Sequence, residues 1–425
     1  MTQRQRIVVT ASGAVCAAGM DAPAILAAVL EGRSAIGPIR QWDTTGWPAH
    51  TAGEVADYNP RALVEDRKLH KLIRRTDLFG LYAAGRAIEQ SGILERRAAL
   101  DDAAAAVYSD RSGVYVGSGG GNYQNQYDYL PLIEAAGGDL REFGRQLNDT
   151  VNPMWLLRTL PNNVLGHIGI RHGLKGPNAC ITNHSIGGLL AVIEALEALR
   201  NGEADRAVAV GHDAPIEPQM VLYYRAVGLI AGEALRPFDA RHDGSLFGEG
   251  AAALMLETEA SAQERGAAIL GEVLGGAASC EAEGLLAIRD DGDGVARAIR
   301  AALADAGLAP ADVGMIVAHG NGTPQSDASE AAALRSVFGA SLPPVTAFKW
   351  AFGHLIAAAG ILDAALALAA LKQGVVPGIA TLGEIAADCA GLSLTAQPRQ
   401  PRSDVALVVC RGFAGTNAAL LLRAR

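Results

Sequence analysis

Short runs rich in Val, Ile and Ala alternate with longer Ala/Leu stretches along the whole chain, and this alternation restricts the fold more than any other feature. The short runs read as strands at 6–10, 112–117, 206–211, 251–256, 313–318, 344–348 and 404–410. The longer stretches read as helices at 77–92, 185–201, 294–307, 327–338 and 354–372. Strands and helices that succeed one another in this way belong to the α/β class. Glycine, 50 residues of 425, is spread throughout, so no linker marks a boundary. The stretch 121–160, with Tyr123, Tyr127, Tyr129 and Trp155, is polar and aromatic and reads as an insertion lining a surface or cleft.

The two halves echo each other. Helix 77–92 ends in Ser91-Gly92-Ile93 and leads to a Gly-ending strand at Gly117, while helix 294–307 ends in Ala306-Gly307-Leu308 and leads to a strand closing on His319-Gly320. Later in each half an apolar helix opens on a reactive side chain, Ser185 or His354, with a carboxylate nine residues on at Glu194 or Asp363. Two echoes in one order read as a duplication.

Half of the residues are hydrophobic and 19% are charged, enough apolar material for a large core and too little charge for a disordered chain. Lys and Arg number 36 against 45 Asp and Glu, a net charge of −9 without long basic runs, which argues against nucleic acid or an anionic membrane as partner. Cys16, Cys180, Cys280, Cys389 and Cys410 are widely spaced and form no CxxC pair, which disfavours a disulfide framework or a zinc site and fits a reducing cytosol. Residues 1–6 run directly into the strand-like Ile7-Val8-Val9-Thr10 without the apolar region of a signal peptide. The most apolar stretch, 355–371, is Ala-rich and interrupted by Asp363, and so reads as a core helix rather than a membrane span. The expectation is a cytoplasmic protein.

Three side chains stand where chemistry is expected. Ser185 lies at a strand-to-helix junction followed by Gly187-Gly188, where the helix dipole and free backbone N–H groups favour a nucleophile and an oxyanion. Taken alone it would be an N-cap serine. His319, in Ala318-His-Gly-Asn-Gly-Thr-Pro324, closes a strand in a tight loop. His354 opens an apolar helix after Lys349-Trp-Ala-Phe-Gly353. A nucleophile and two histidines, each at an element terminus beside glycine, form a catalytic constellation.

With these residues in place the chain resembles the elongating β-ketoacyl-ACP synthases of the thiolase-like superfamily, over almost its whole length and in order. The resemblance rests on Ile7-Val-Val-Thr10, Gly117-Ser-Gly119, Gly176-Pro177, the Ser185 turn, Arg236-Pro-Phe-Asp239, Asp243-Gly244 and Gly248-Glu-Gly250. It continues through His319-Gly-x-Gly-Thr-Pro324 with Asp327, Lys349, Gly353-His354 and Gly412-Phe-Ala-Gly-Thr-Asn417. It implies a thiolase-like, duplicated five-layer α-β-α-β-α fold with halves at 1–255, holding Ser185, and 256–425, holding His319, Lys349 and His354.

The resemblance also implies a reaction. An acyl chain moves from acyl carrier protein to the nucleophile, malonyl-ACP decarboxylates, and the enolate attacks the acyl-enzyme. His319 and His354 would stabilise the enolate oxygen, Lys349 would hold charge behind them, and Asp327 or Glu330 would be their supporting partners. The N–H groups of Ser185 and Phe413 would form the oxyanion hole, with Gly412-Phe413 as the acyl gate and Thr323 on the pantetheine arm. No metal or diffusible cofactor is implied, because phosphopantetheine arrives on the carrier protein. A dimer is implied, and Gly120, where a bulky side chain would plug the tunnel, leaves room for a longer chain.

Five departures qualify that reading. Ser185 stands where the family has its nucleophilic cysteine, and an oxyester is a poorer acyl donor than a thioester. His184 replaces a small residue and either polarises the serine or packs against the loop, with packing favoured. Asn321 replaces the first Thr of the pantetheine pair, and Ala414 replaces a Gly of the gate loop. Arg411 faces either a polar or carboxylated substrate or solvent. Two functions follow. One is a ketosynthase-like acyltransferase or condensing enzyme that forms acyl-Ser185. The other is a partner subunit resembling chain-length factors, in a heterodimer with a Cys-bearing ketosynthase. An α/β-hydrolase elbow at His184-Ser-Ile-Gly-Gly188 is disfavoured, because position 183 is Asn where that turn needs Gly.

Overall fold

The computed structural model describes residues 5–119 and 123–425, with the side chains of 123–128 excepted. Ten strands are hydrogen-bonded into one mixed sheet. In chain order they are β1 (Ile7–Cys16), β2 (Ser112–Ser118), β3 (Asn178–Ile181), β4 (Arg206–Asp213), β5 (Gly250–Thr258), β6 (Gly271–Cys280), β7 (Met315–Val317), β8 (Val345–Thr346), β9 (Val405–Gly412) and β10 (Thr416–Ala424). Six helices matter for the site: α1 (Arg75–Ser91), α2 (Gly187–Arg200), α3 (Pro218–Ala226), α4 (Asp293–Ala306), α5 (Pro324–Phe338) and α6 (Ala359–Lys372).

The spatial order is β8-β7-β9-β10-β6-β1-β5-β4-β2-β3. Each set of five strands repeats one pattern. The second strand lies between the third and fourth, parallel to both, and the fifth and first follow antiparallel. The sets join where Ile7–Val9 of β1 pair with Gly271–Val273 of β6. Helices α2 and α6 pack on each other between the two sets, α2 on β2 and β4 and α6 on β9 and β10, while α1 covers one outer face and α4, with α5 packed against it, the other. Central strands sandwiched this way bury both faces, as the continuous burial of β2 and β5 shows. This is the duplicated, five-layer α/β arrangement. A division at 255/256 would cut β5, which runs unbroken to Thr258.

The internal echo is present with a different register. Helices α1 and α4 both end on a left-handed glycine, Gly92 at φ 73° and Gly307 at φ 67°. Helices α2 and α6 are each preceded by a three-residue 3₁₀ turn, 184–186 and 356–358, that opens on a positive-φ residue, His184 or Ile356. Ser185 therefore corresponds to Ala357, not to His354 as the side-by-side sequences predict. The paired carboxylates part in the same way: Glu194 is exposed and Asp363 is buried.

Three strands escape the sequence pattern. β6 reads Gly-Glu-Val-Leu-Gly-Gly-Ala-Ala-Ser-Cys and β10 is Ala/Leu-rich, so neither carries the β-branched signature, and β3 is four residues long. Helix α6 is buried along nearly its whole length between the strand sets, and no helix among the described residues is long and apolar enough to cross a membrane. The insertion contains helices at Tyr123–Ala135, Leu140–Thr150 and Trp155–Thr159, and Leu130, Leu140, Leu156 and nearby Ile170 are exposed.

Candidate active site

The loops that follow β3, β7, β8 and β9 all leave the carboxyl ends of parallel strands, where open α/β sheets place their ligands. They deliver Ser185, His319, Lys349-to-His354 and Phe413 to one place. The close approach depends on glycine. A Cβ on Gly188 would lie 2.5 Å from the carbonyl oxygen of Ala357, and one on Gly353, at φ 83°, would lie 2.4 Å from that of Phe247. Gly353 thereby lets the His354 segment pair with the 246–248 backbone, His354 N–H donating to Leu246 O at 2.7 Å.

Ser185 is buried, and its Oγ lies 2.9 Å from His184 Nδ1 and 3.3 Å from His354 Nε2. The His319 and His354 rings stand edge to face with centroids 5.1 Å apart. Both rings are oriented by the main chain, since His319 Nδ1 accepts from the Arg411 N–H at 3.3 Å and His354 Nδ1 from the Ile356 N–H at 3.2 Å. A neutral imidazole that accepts at Nδ1 carries its proton on Nε2. Both rings therefore present Nε2–H donors. Burial, reinforced by the Lys349 charge, holds both far below the usual imidazole range, so they are neutral near pH 7.

Lys349 is fully buried and donates to Asp363 Oδ2 at 3.0 Å. In the sequence Asp363 is marked as an echo of Glu194 and as a charge in an apolar helix, and nothing local announces the pairing. Glu330 and Asp327 support backbone rather than Lys349 or the rings. Glu330 accepts from the N–H groups of His319 at 2.7 Å and Gly320 at 3.0 Å. Asp327 accepts from the N–H groups of Phe238 and Gly322 and meets His242 Nδ1 at 3.0 Å, tying the Arg236–Asp239 turn to the His319 loop. Burial pushes Glu330 up to about 7.

His184 does more than pack. Its Nε2 lies 2.6 Å from the Tyr224 hydroxyl on α3, and its ring stacks on Phe413 at 4.3 Å and 16°. Tyr224 had no signal in the sequence. The ring packs against the Phe413 loop, and its Nδ1 also reaches Ser185. Arg411 is corrected, because it does not face solvent. It is buried and donates to Glu281 Oε1 at 3.0 Å and Ser326 O at 3.2 Å, with Asn417 donating to the same Glu281 oxygen. Glu281 is in no motif of the sequence, which does not mark it.

Ser185, His319, His354, Asn321, Thr323, Arg411, Gly412 and Phe413 line one cavity of about 60 Å³. Asn321 Oδ1 accepts from the Thr323 N–H at 3.0 Å and its hydroxyl at 2.9 Å, fixing the rim. Thr323 and Phe413 also face an outer cavity of about 330 Å³ beside Leu285 and Leu286. On the other side of His184 and Phe413 lies a cavity of about 230 Å³ that reaches Asp213 and Met220. Asp213, which no sequence motif marks, is buried and pushed up to about 7 by that burial. Ala414 sits at φ 59°, the left-handed region that favours glycine. Gly120 lies outside the described residues. Among the described residues no cluster of His, Cys, Asp and Glu is placed to hold a metal ion.

Residues 4–262 match the family model of the β-ketoacyl synthase N-terminal domain, and residues 270–382 that of the β-ketoacyl synthase C-terminal domain. The 3-oxoacyl-[acyl-carrier-protein] synthase 2 of Staphylococcus aureus (strain COL) is 32% identical over 383 residues, 88% of this chain and 87% of its own. Nodulation protein E of Rhizobium sp. (strain N33) is 33% identical over 422 residues, 99% of each chain. The solved structure of the ishigamide ketosynthase/chain length factor superposes with a TM-score of 0.88 at 29% identity, covering 100% of both chains.

Proposed function

This chain belongs to the β-ketoacyl synthase family, and from that membership we propose that it is a ketosynthase-like condensing enzyme, working with acyl carrier protein in fatty acid or polyketide synthesis and carrying the acyl chain on Ser185. The observation that supports this most is the meeting of Ser185 Oγ with His354 Nε2 at 3.3 Å, with His319 beside them. Ser185 takes the position that the family resemblance gives to cysteine. The pantetheine arm enters past Thr323 and Asn321, and the thioester carbonyl reaches Ser185 as Phe413 swings aside.

In the first step Oγ adds to the thioester carbonyl, the carbon–sulfur bond breaks, and the released thiol keeps the serine proton. The N–H groups of Ser185 and Phe413 hold the oxyanion; among the described residues no backbone hydrogen bond uses either of them. In the second step a malonyl thioester loses carbon dioxide, and its enolate oxygen is held by the Nε2–H donors of His319 and His354. The enolate carbon then attacks the acyl ester, and the serine oxygen leaves and recovers a proton. Burial, with the charge of Lys349 adding to it, keeps both rings neutral so that they donate without protonating the enolate outright.

The chain acts in the cytoplasm as a homodimer or in a heterodimer with a Cys-containing ketosynthase. The competing role, a chain-length-factor-like subunit without condensing activity, is favoured by the oxyester chemistry, since serine esters are weak acyl donors. Intact-protein mass spectrometry after incubation with a panel of acyl carrier protein thioesters separates the two. An acyl adduct present in the wild type and lost in Ser185→Ala supports the enzyme. No adduct with any chain, together with co-purification of a Cys-bearing paralogue, overturns it in favour of the partner subunit.

A further inference from the structure

A serine hydroxyl near neutral pH needs a base before it attacks a thioester, and neither His319 nor His354 can serve. Each accepts a backbone N–H at Nδ1 and so turns an Nε2–H donor to the site. His354 therefore donates to Ser185 Oγ. A hydroxyl has one proton to give, and the remaining ring nitrogen within reach of that oxygen is His184 Nδ1, at 2.9 Å. We propose that His184 is the general base that activates Ser185, with its ring positioned by Tyr224. The assignment rests on Ser185 being the nucleophile.

The polar chain is consistent from end to end. His354 Nε2–H donates to Ser185 Oγ, Ser185 Oγ–H donates to His184 Nδ1, and His184 Nε2–H donates to the Tyr224 hydroxyl at 2.6 Å. Adjacent side chains do not ordinarily face one another. Here His184 adopts φ 44°, a left-handed conformation that disfavours any residue with a Cβ. That turn brings its ring edge alongside the next residue's side chain, while Phe413 stacks on a face of the imidazole at 4.3 Å. Burial holds His184 down to about 4, so the ring is neutral and able to accept at neutral pH.

The step balances. As Oγ bonds to the thioester carbon, its proton passes to His184 Nδ1. As the carbon–sulfur bond breaks, the departing pantetheine sulfur takes that proton, leaving acyl-Ser185, a free thiol and neutral His184. Tyr224 is a positioning residue, since it reaches the reaction only through the ring.

The test sets serine against cysteine at position 185, because a thiol is already a few per cent thiolate at neutral pH and has little need of a base. Adduct formation is timed by intact mass with acetyl, hexanoyl and dodecanoyl thioesters of acyl carrier protein. A fluorophosphonate reports activation of the serine independently of acyl chain. His184→Asn is the first variant, since asparagine tolerates the left-handed backbone. On the natural Ser185, His184→Asn is expected to slow acylation and phosphonylation by about 10²–10⁴-fold, the range of a general base. Tyr224→Phe is expected to slow them several-fold. On Ser185→Cys, the same two changes are expected to have at least tenfold smaller effects on acylation. Equal losses in both backgrounds would reduce His184 to a packing residue and overturn the assignment while leaving acyl-Ser185 standing. A wild type that neither thioester nor fluorophosphonate modifies would instead overturn the nucleophile itself, and the base with it.

Discussion

Arg411 and Glu281 meet at 3.0 Å with both side chains almost wholly withdrawn from water. A buried pair is neutral at best when replaced as a whole but costly to break, because the surviving charge has lost its partner and stays desolvated. Arg411→Met is therefore expected to lower stability by about 3–5 kcal/mol, and Arg411→Met with Glu281→Met to recover most of it, read from urea midpoints. Recovery would be incomplete, since Asn417 also donates to Glu281. A sequence reading places a charge at 411 but not its destination, because Glu281 is 130 residues away and no motif links them. His184 shows the same limit. Its neighbour Ser185 was visible, yet whether two consecutive side chains touch depends on one backbone angle, and that angle is set by the turn into α2.

At the scale of elements, α2 and the segment leading into α6 are in contact because neither presents bulk there. Gly188→Ala would push a methyl to within 2.5 Å of the Ala357 carbonyl and force the two segments apart. The expected cost is about 1–3 kcal/mol in stability, with a widened Ser185–His354 gap and a fall in acylation rate measured on the still-folded variant. The helices themselves were largely legible: α1, α2 and α4 lie within two residues of the predicted spans, and glycine closes α1 and α4. α6 begins five residues later than expected, because a 3₁₀ turn at 356–358 precedes it. The strands were less legible. β6 and β10 are built from Gly, Ala and Leu, and they extend as strands because β1 and β9 offer them partners, a property of the sheet rather than of the segments.

At the scale of the molecule, buried titratable groups pull stability in opposite directions with pH. Burial depresses His212 to about 4 and raises Asp213 to about 7. Between pH 6.5 and about 4 the unfolded chain binds a proton at His212 that the folded chain refuses, so acid favours unfolding. Between about 4 and 7 the folded chain retains a proton on Asp213 that the unfolded chain has lost, so raising the pH favours unfolding. His212→Gln should gain about 3 kcal/mol relative to wild type on going from pH 6.5 to 4. Asp213→Asn should gain about 4 kcal/mol on going from pH 4 to 7. Denaturation at three pH values checks both signs, and parallel curves for wild type and either variant would refute the corresponding shift.

The sequence by itself determined the α/β class, the doubled plan, the family resemblance, and the arrival of Ser185, His319, Lys349, His354 and Phe413 at element termini, since each depends on local periodicity, turn chemistry or a short motif. The tertiary structure alone decided which groups share a hydrogen bond: the Nε2–H tautomers of His319 and His354, the Lys349–Asp363 and Arg411–Glu281 pairs, and the Ser185–His184–Tyr224 chain. Hydrogen bonds hold over about 3 Å and depend on direction. Whether residues distant in sequence, or even adjacent side chains, come within that range is set by the packing of two strand sets around α2 and α6.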